Sequence, residues 1–302
     1  MPVFNRCFCG HDLRKYPFRQ SWLFIAILIF AASACTDPRE IESLEQQLAS
    51  AQSHIRKDAA TKLIRHGSAA VPNLLQDLHL DPTRDRYIKV QILGEIGDKQ
   101  AIAPLLALVQ ADSENVHVRS EAATALGKFR DQSVVPVLSQ LLLAEEITSI
   151  REAAAWSLGN LRDTTLVPFL VPGLSDSASS VRRATLEALD RNWTSASERA
   201  VDSALSDPDE TVRYIAVQLL GKHRSTNSLN QLISMLADTS TWVRSETATS
   251  LSQLADTAAV GPLIDQLQQS EGSEFESIQQ ALLELTGIHY ALDEESRGPS
   301  KQ

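Results

Sequence analysis

Arginine recurs in this sequence at intervals of 30 to 33 residues, and a leucine follows seven residues after each arginine. The arginines are Arg56, Arg86, Arg119, Arg151, Arg182, Arg213 and Arg244. A period of this length indicates structural repeats that bury their apolar faces against one another in a stacked array. The sequence therefore predicts a repeat protein without a single central core.

Each repeat is predicted to contain two helices joined by a short turn. The second helix begins with an apolar residue and the arginine, and its apolar residues recur at the helical intervals of three and four. The first helix opens near a proline, which the first helical turn tolerates. These prolines are Pro72, Pro104, Pro136, Pro168 and Pro262. The expected fold is an all-α, α-α superhelical solenoid of about eight repeats over residues 41–288.

Acidic residues precede several arginines by six positions. Asp176, Asp207 and Asp238 hold this position, and Glu145 holds it before Arg151. We expect the acid to cap the second helix and to pair with an arginine of its own or a neighbouring repeat. The predicted structural ladder joins the three aspartates to Arg119, Arg151, Arg182, Arg213 and Arg244. The alternative is that these arginines bind an anionic ligand.

The pattern changes in two places. Glu276 replaces the arginine of the last repeat, as expected of a terminal repeat that faces water. Residues 190–204 lack the proline signal, and Pro172-Gly173 interrupts the preceding first helix. We expect a local kink or a change of curvature at this second place.

The first 35 residues combine a basic segment, an apolar stretch and a run of small residues before Cys35. The apolar stretch is shorter than the roughly 20 residues that a membrane-spanning helix needs. Residues 1–34 are therefore predicted to be a secretion signal. The sequence Ala32-Ser33-Ala34-Cys35 resembles the lipobox of bacterial lipoproteins, which implies that Cys35 becomes an N-terminus carrying acyl chains such as palmitate. Ordinary cleavage or a retained signal anchor is the alternative.

The two ends of the predicted solenoid are short polar segments. Residues 35–40 are expected to form a lipid tether, in which Asp37 and Pro38 begin a helix and Glu40 completes a capping box. The apolar stripe expected behind this cap is Ile41, Leu44, Leu48 and Ala51. Residues 289–302 are predicted to be a disordered tail.

The charge of the chain limits its partners. The formal net charge is −10, and it becomes about −13 without residues 1–34, which hold four basic residues and one acidic residue. A negative body repels phosphate backbones, so we expect no nucleic acid partner.

Asp207-Pro208-Asp209-Glu210-Thr211-Val212-Arg213 resembles the short HEAT-like repeats of phycobilisome lyases. The resemblance extends over nearly the whole chain after Cys35 and implies that the second helices line a concave surface. Related repeats include deoxyhypusine hydroxylases, in which His-Glu pairs hold two irons, but this sequence contains no His-Glu dipeptide. We therefore predict no catalytic residue, no metal, no cofactor and no enzymatic activity.

Two rows of second-helix residues are expected to face the groove, at one and five positions after the arginine. The residues predicted to bind a partner are Trp156, Tyr214, Glu187, Glu152 and Gln218. Exposed Trp and Tyr offer a large apolar area with a polar handle and are typical anchors of interfaces. Trp193 and Trp242 are further candidates, and packing between neighbouring repeats is the alternative role for all four aromatic residues.

These observations predict a scaffold anchored to the membrane by lipid on Cys35, with an envelope protein or peptide bound in its concave groove. We expect a cell-envelope location on the periplasmic side. Lipoprotein sorting rules favour the outer membrane, because Thr36 beside the cysteine is not aspartate. No small-molecule substrate is expected. The alternatives are a repeat-type enzyme that resembles a bilin lyase or a metal hydroxylase, and a structural spacer without a specific ligand.

Overall fold

A computed structural model describes residues 37–76, 78–81 and 83–290, and every regular element within these residues is helical. Cys35, the predicted signal and residues 291–302 lie outside the described residues. The chain divides into two compact units, residues 1–73 and residues 74–302. No helix among the described residues is long and apolar enough to cross a membrane.

The first unit contains the helices α1 (Pro38–Leu48) and α2 (Ser53–His66). The Asp37 side chain accepts a hydrogen bond from the Arg39 N–H at 3.0 Å, so the predicted helix start is correct, and the helix begins inside the segment predicted as a tether. We had predicted that Glu40 completes a capping box with this helix start. Its carboxylate instead lies 3.8 Å from His66 Nε2. Of the predicted apolar stripe, only Ala51 is exposed, because it lies beyond the end of α1.

Helix pairs continue along the chain in the same order. Their helices are α3 (Val71–Leu75), α4 (Thr83–Ile96), α5 (Ile102–Gln110), α6 (Val116–Leu126), α7 (Val135–Ala144), α8 (Thr148–Asn160), α9 (Val167–Leu170), α10 (Ser179–Arg191), α11 (Ser195–Ala204), α12 (Glu210–Lys222), α13 (Leu229–Met235), α14 (Thr241–Leu254), α15 (Val260–Leu267) and α16 (Gly272–Thr286). The even-numbered helices are the second helices of the pairs, and those from α2 to α14 carry the recurring arginines. The all-α repeat architecture is therefore as predicted.

Several first helices begin through a short 3₁₀ turn that an aspartate caps. The side chains of Asp98, Asp131, Asp163 and Asp256 each accept a hydrogen bond of 2.8–3.0 Å from the backbone N–H two residues later. These bonds satisfy N–H groups that a helix start leaves without a partner. The proline signal lies just after such a turn in α7 and α9.

Successive second helices touch through their backbones where glycine follows the repeat leucine. A methyl group added to Gly159 would lie 2.6 Å from Ala188 Cα in the next second helix. The pairs that approach in this way are Gly94 with Ala125, Gly127 with Ser157, Gly159 with Ala188, and Gly221 with Ser250. The Ser157 and Ser250 hydroxyls also donate hydrogen bonds to carbonyls of the preceding second helix, at 2.8 and 3.0 Å. The small residues thus set the distance between repeats.

In most repeats a residue with left-handed backbone geometry follows the second helix, eleven positions after the arginine. It has positive φ at Arg130, Arg162, Arg224 and Ala255, and glycine holds the position at Gly97. Arginine and alanine adopt this conformation at some cost in energy. The regular recurrence shows that the turn between repeats requires it.

The junction between α10 and α12 departs from this plan. Asp190 stands where other repeats have the glycine, and its carboxylate contacts Lys222 Nζ and His223 Nε2 at 2.7 Å. The Asn192 side chain bonds the carbonyls of Gly159 and Ala188. As predicted at Pro172-Gly173, the first helix α9 ends early and continues as a 3₁₀ segment, Val171–Ser175. Side chains therefore replace backbone contact at this junction.

The glycine contact predicts opposite effects for two glycine substitutions. Gly159→Ala should lower the free energy of unfolding by about 2 kcal/mol, because the new methyl group overlaps α10. Gly261→Ala is the matched control. It lies in a helix with nothing within 4 Å of the added methyl group, so stability should stay constant or rise by up to about 1 kcal/mol.

Urea denaturation followed by circular dichroism measures both changes. Equal stabilities of the two variants would contradict the role of Gly159 in setting the repeat spacing.

Candidate functional site

The recurring arginines from Arg86 to Arg244 each join their repeat to the next one. Arg182 Nε and Nη2 each donate to the Asp207 carboxylate at 2.7 Å, and Nη1 donates to the carbonyls of Asp176 and Ser177 at 2.9 and 3.3 Å. The pairs Arg151–Asp176 and Arg213–Asp238 repeat this two-point contact at 2.7–2.9 Å. All three guanidinium nitrogens of Arg182 are occupied, so the anionic-ligand alternative has no open nitrogen at this arginine.

The ladder aspartates do not cap the second helices, contrary to our prediction. Asp176 lies two residues before the N-cap residue Ala178 and accepts the N–H of that residue at 2.8 Å. Asp207 and Asp238 do the same with Asp209 and Ser240. The aspartates therefore fix the loop before the helix, and the arginine of the preceding repeat holds their carboxylates.

Two acids in the ladder were missed by the sequence analysis. Arg86 pairs with Glu114, and Arg244 donates to both carboxylate oxygens of Glu274 at 2.8 and 2.6 Å. Ser270 stands where the last repeat would carry its aspartate. The first turn of α16 supplies the missing charge from Glu274, four residues further on. Only a search for any acid near the start of the second helix would have found it.

Three of the ladder carboxylates have a lowered pKa despite their burial. Burial by itself would raise the pKa of Asp176, but hydrogen bonds from Arg151 and the Ala178 N–H lower that pKa below its ordinary value. The pKa of Asp238 is lowered in the same way against the effect of burial by Arg213, and that of Glu274 by Arg244. A charged hydrogen bond in a buried position is a structural link, and this is the role that the geometry supports.

Side chains of the second helices α6, α8, α10, α12, α14 and α16 line open clefts, and we call the surface that they form the second-helix face. It contains an open cleft of about 430 Å³ lined by Trp156, Glu152, Glu187, Ser120 and Arg183, among other residues. We call this the Trp156 cleft. Three of the five residues predicted to bind a partner therefore lie together.

The other two predicted residues lie elsewhere on the same face. Tyr214 lines a cleft of about 470 Å³ with Trp242, and Gln218 borders a third cleft of about 420 Å³. The sequence analysis left Trp242 out of its main prediction, but 74% of this residue is exposed. It stands two positions before Arg244, where the three preceding repeats carry Ser149, Ser180 and Thr211, and this contrast could have marked it.

The surroundings of Trp156 and Trp193 separate their roles. Trp156 is partly buried, and the Arg191 guanidinium carbon lies 5.9 Å from the centroid of its ring. Trp193 stacks on His223 at 3.9 Å with an angle of 5° between the rings, next to Asp190. Trp193 therefore packs the junction between α10 and α12, which is the alternative role that we had considered for it.

The described residues form an all-helical repeat solenoid whose second helices carry open clefts. The family model for HEAT repeats matches residues 71–159 and 197–283, which is more than half of the chain, and the chain belongs to the HEAT repeat family. The model for the PBS lyase HEAT-like repeat matches residues 150–176, within the region whose resemblance we had noted. No curated protein sequence gave a significant match.

Solved structures of other proteins share the fold. YibA of Escherichia coli is similar at 20% identity and a TM-score of 0.58 over 91% of this chain and 99% of that chain. Human deoxyhypusine hydroxylase in complex with glycerol is similar at 22% identity and a TM-score of 0.38 over 83% and 97%. The complex of CpcE and CpcF of phycocyanin lyase from Nostoc sp. PCC7120 is similar at 20% identity and a TM-score of 0.43 over 81% and 94%. At this identity the likeness to YibA shows the fold alone.

The prediction that the chain is not an enzyme is contradicted. Two of the proteins with similar structures, the hydroxylase and the lyase, are enzymes by name, so this architecture does not by itself exclude catalysis. Within the described ranges, no three His, Cys, Asp or Glu side chains are grouped as a metal site would require. The sequence argument was too strong, because missing motifs do not exclude chemistry that uses other residues.

The ladder predicts a large loss of stability when one partner loses its charge. Asp207→Asn should lower the free energy of unfolding by about 3–5 kcal/mol, because the buried Arg182 guanidinium loses its counter-charge. Asp58→Asn removes an equal charge from an exposed ion pair with Lys62 and should change stability by no more than about 0.5 kcal/mol.

Denaturant titration of both variants at the same pH provides the comparison. A loss at Asp207 no larger than that at Asp58 would show that the ladder does not stabilise the array.

Proposed function

We propose that this protein is a membrane-anchored interaction scaffold that binds an envelope protein or peptide in the clefts of its second-helix face. The observation that carries the proposal is the Trp156 cleft, which three consecutive second helices build around one aromatic side chain. Trp is among the residues that most often dominate the binding energy of protein interfaces.

The chemistry of the Trp156 cleft favours a peptide segment as its ligand. The lining combines the Trp156 ring with the carboxylates of Glu152 and Glu187 and with Arg183. Hydroxyl groups of Ser120, Ser149 and Ser180 line the same cleft and offer further hydrogen-bonding groups. An apolar centre with polar groups of both charges matches the mixed character of a protein surface.

The repeat architecture supports a partner that contacts several repeats. Clefts recur along the second-helix face, and Tyr214 and Gln218 border clefts that lie further along it. Several weak contacts on one rigid array combine their binding energies when a single partner spans them. The ladder supplies the necessary rigidity, because it fixes the spacing between successive repeats.

Membrane anchoring rests on the sequence near Cys35. The lipobox resemblance supports acyl chains on Cys35, and helix α1 begins only three residues later at Pro38. A linker of that length spans no more than about 11 Å, so the first helix would lie close to the bilayer surface. Thr36 beside the cysteine favours delivery to the outer membrane and a periplasm-facing body.

Lipidation predicts that one cysteine carries a metabolic label. Cells fed an alkyne-tagged palmitate should label the wild-type protein, and Cys35→Ala should abolish the labelling. The double variant Cys7→Ala, Cys9→Ala is the control and should remain labelled, because both residues lie in the predicted signal. A wild-type protein without label, or a labelled Cys35→Ala variant, would rule out the proposed anchor.

The binding proposal predicts that cross-linking depends on position. A photoreactive amino acid at position 156 should give a discrete adduct in cells, because the Trp156 cleft holds a partner segment. The matched control places the same amino acid at position 143, where Leu143 is 59% exposed on the first helix α7. That variant should give no discrete adduct.

Affinity capture gives a second measurement of the same site. Trp156→Ala combined with Tyr214→Ala should reduce the recovery of the cross-linked partner about tenfold or more, as expected for the loss of interface anchors. Unchanged recovery would contradict the site. If position 156 also gives no discrete adduct, the result would favour the spacer alternative.

A further inference from the structure

The cleft that contains Trp242 differs in its chemistry from the Trp156 cleft. Residues of α12, α14 and α16 and the loop before α14 form it, and we call it the Trp242 cleft. Trp242 stands at the start of α14 with 74% of its surface exposed, and Tyr214 lines the same cleft from α12. A large apolar ring that contributes little to the core of its own chain is available to a ligand.

Carboxylates surround this aromatic centre. Glu210 and Glu246 line the Trp242 cleft, and its other lining residues are Tyr214, Trp242, serines and threonines. An adjoining cleft of about 330 Å³ shares Thr249 and two serines with it and adds Glu276 and Glu284. Neither lining includes a lysine or an arginine.

The nearest ladder arginines are occupied elsewhere. Arg213 holds Asp238 and Arg244 holds Glu274, each through two nitrogens at 2.6–2.8 Å. Glu276 stands at the ladder position of the last repeat, so this repeat contributes a negative charge where others contribute a positive one. The end of the second-helix face is therefore negative in its charge balance.

Glu246 is held without a positive partner in the Trp242 cleft. Burial raises the pKa of its carboxyl above the ordinary value, although the Tyr214 hydroxyl donates a hydrogen bond to it. On its other side Glu246 borders the cleft of about 420 Å³ where Lys222 and Arg224 lie, but Asp190 already binds the Lys222 ammonium group at 2.7 Å. A cation that entered the Trp242 cleft would relieve the cost of burying this carboxylate.

We infer that the Trp242 cleft binds a lysine- or arginine-bearing segment of the partner, with the cationic group over the Trp242 ring and paired with Glu246 and Glu210. Trp is the most favourable aromatic partner for such a cation, and the carboxylates add charge complementarity. The hydroxyl groups of Ser273 and Ser277 line the same cleft and would accept hydrogen bonds from the backbone N–H groups of the segment. The inference rests on the proposed function, because it specifies the chemistry of one part of the bound partner.

Calorimetric titration of the purified full-length protein with a capped decapeptide of alternating glycine and lysine tests this inference. The lysine peptide should bind, and the matched decapeptide of alternating glycine and glutamate should not. Trp242→Ala and Glu246→Gln should each weaken binding of the lysine peptide about fivefold or more, because each removes one of the two groups that hold the cation.

Two control variants separate a local site from general charge attraction. Glu146→Gln removes the same charge at an exposed residue that lines neither cleft, and it should change the affinity less than about twofold. Trp156→Ala removes the aromatic centre of the other cleft and should also leave the affinity within about twofold, since the two sites share no residue. Circular dichroism of every variant checks that the helices are intact.

Three results would overturn the inference: equal weakening by Glu246→Gln and Glu146→Gln, equal binding of the two decapeptides, or no effect of Trp242→Ala. None of them bears on the cross-linking at position 156. A partner adduct at Trp156 together with any of these results would leave the proposed function in place and remove only the cationic-segment site. Loss of that adduct with intact lysine-peptide binding would remove the proposed Trp156 site and leave the cationic-segment site in place.

Discussion

The two-point bond between an arginine and the carboxylate of the next repeat is the interaction on which the repeat array depends. A guanidinium buried as deeply as that of Arg182 costs several kcal/mol unless an opposite charge compensates it. The compensating group comes from the following repeat and not from its own. A repeat is therefore incomplete until its neighbour is in place, and the correct neighbour position is the one that brings the carboxylate to the guanidinium.

The ladder and the glycine contacts act at different points of the same interface. The ladder operates at the start of the second helix, where Asp176 meets Arg151, while Gly159 and Ala188 bring the same two repeats together near the ends of their helices. Two fixed points determine both the distance between two helices and their relative rotation. The clefts owe their geometry to this arrangement, because side chains such as Trp156 and Glu187 come from different helices that the interface holds at a constant spacing.

Sequence reasoning found the features that recur with the repeat and missed those that do not. The arginines, prolines and three aspartates follow one period, so the helix pairs and most of the ladder could be predicted. Glu274 was missed because it takes the role of a ladder aspartate from a sequence position four residues further on. The shape of the two clefts also depends on which neighbouring side chains are small. The period of the repeat does not carry this information, so the sequence analysis ranked Trp242 below Trp156 although Trp242 is the more exposed of the two. Enzymatic activity could not be excluded from the sequence, since it depends on local chemistry and not on the period.

The junction at Asp190 depends on charged side chains where other repeats depend on backbone contact. The HEAT repeat matches end at residue 159 and resume at residue 197, so the irregular junction separates two regular blocks. The Trp156 cleft belongs to the first block and the Trp242 cleft to the second. The contact that Asp190 makes with Lys222 and His223 is between charged side chains, whereas second helices within each block touch at a glycine. Salt screens such charged contacts and leaves backbone contacts unchanged, so the strength of the boundary between the two blocks depends on ionic strength.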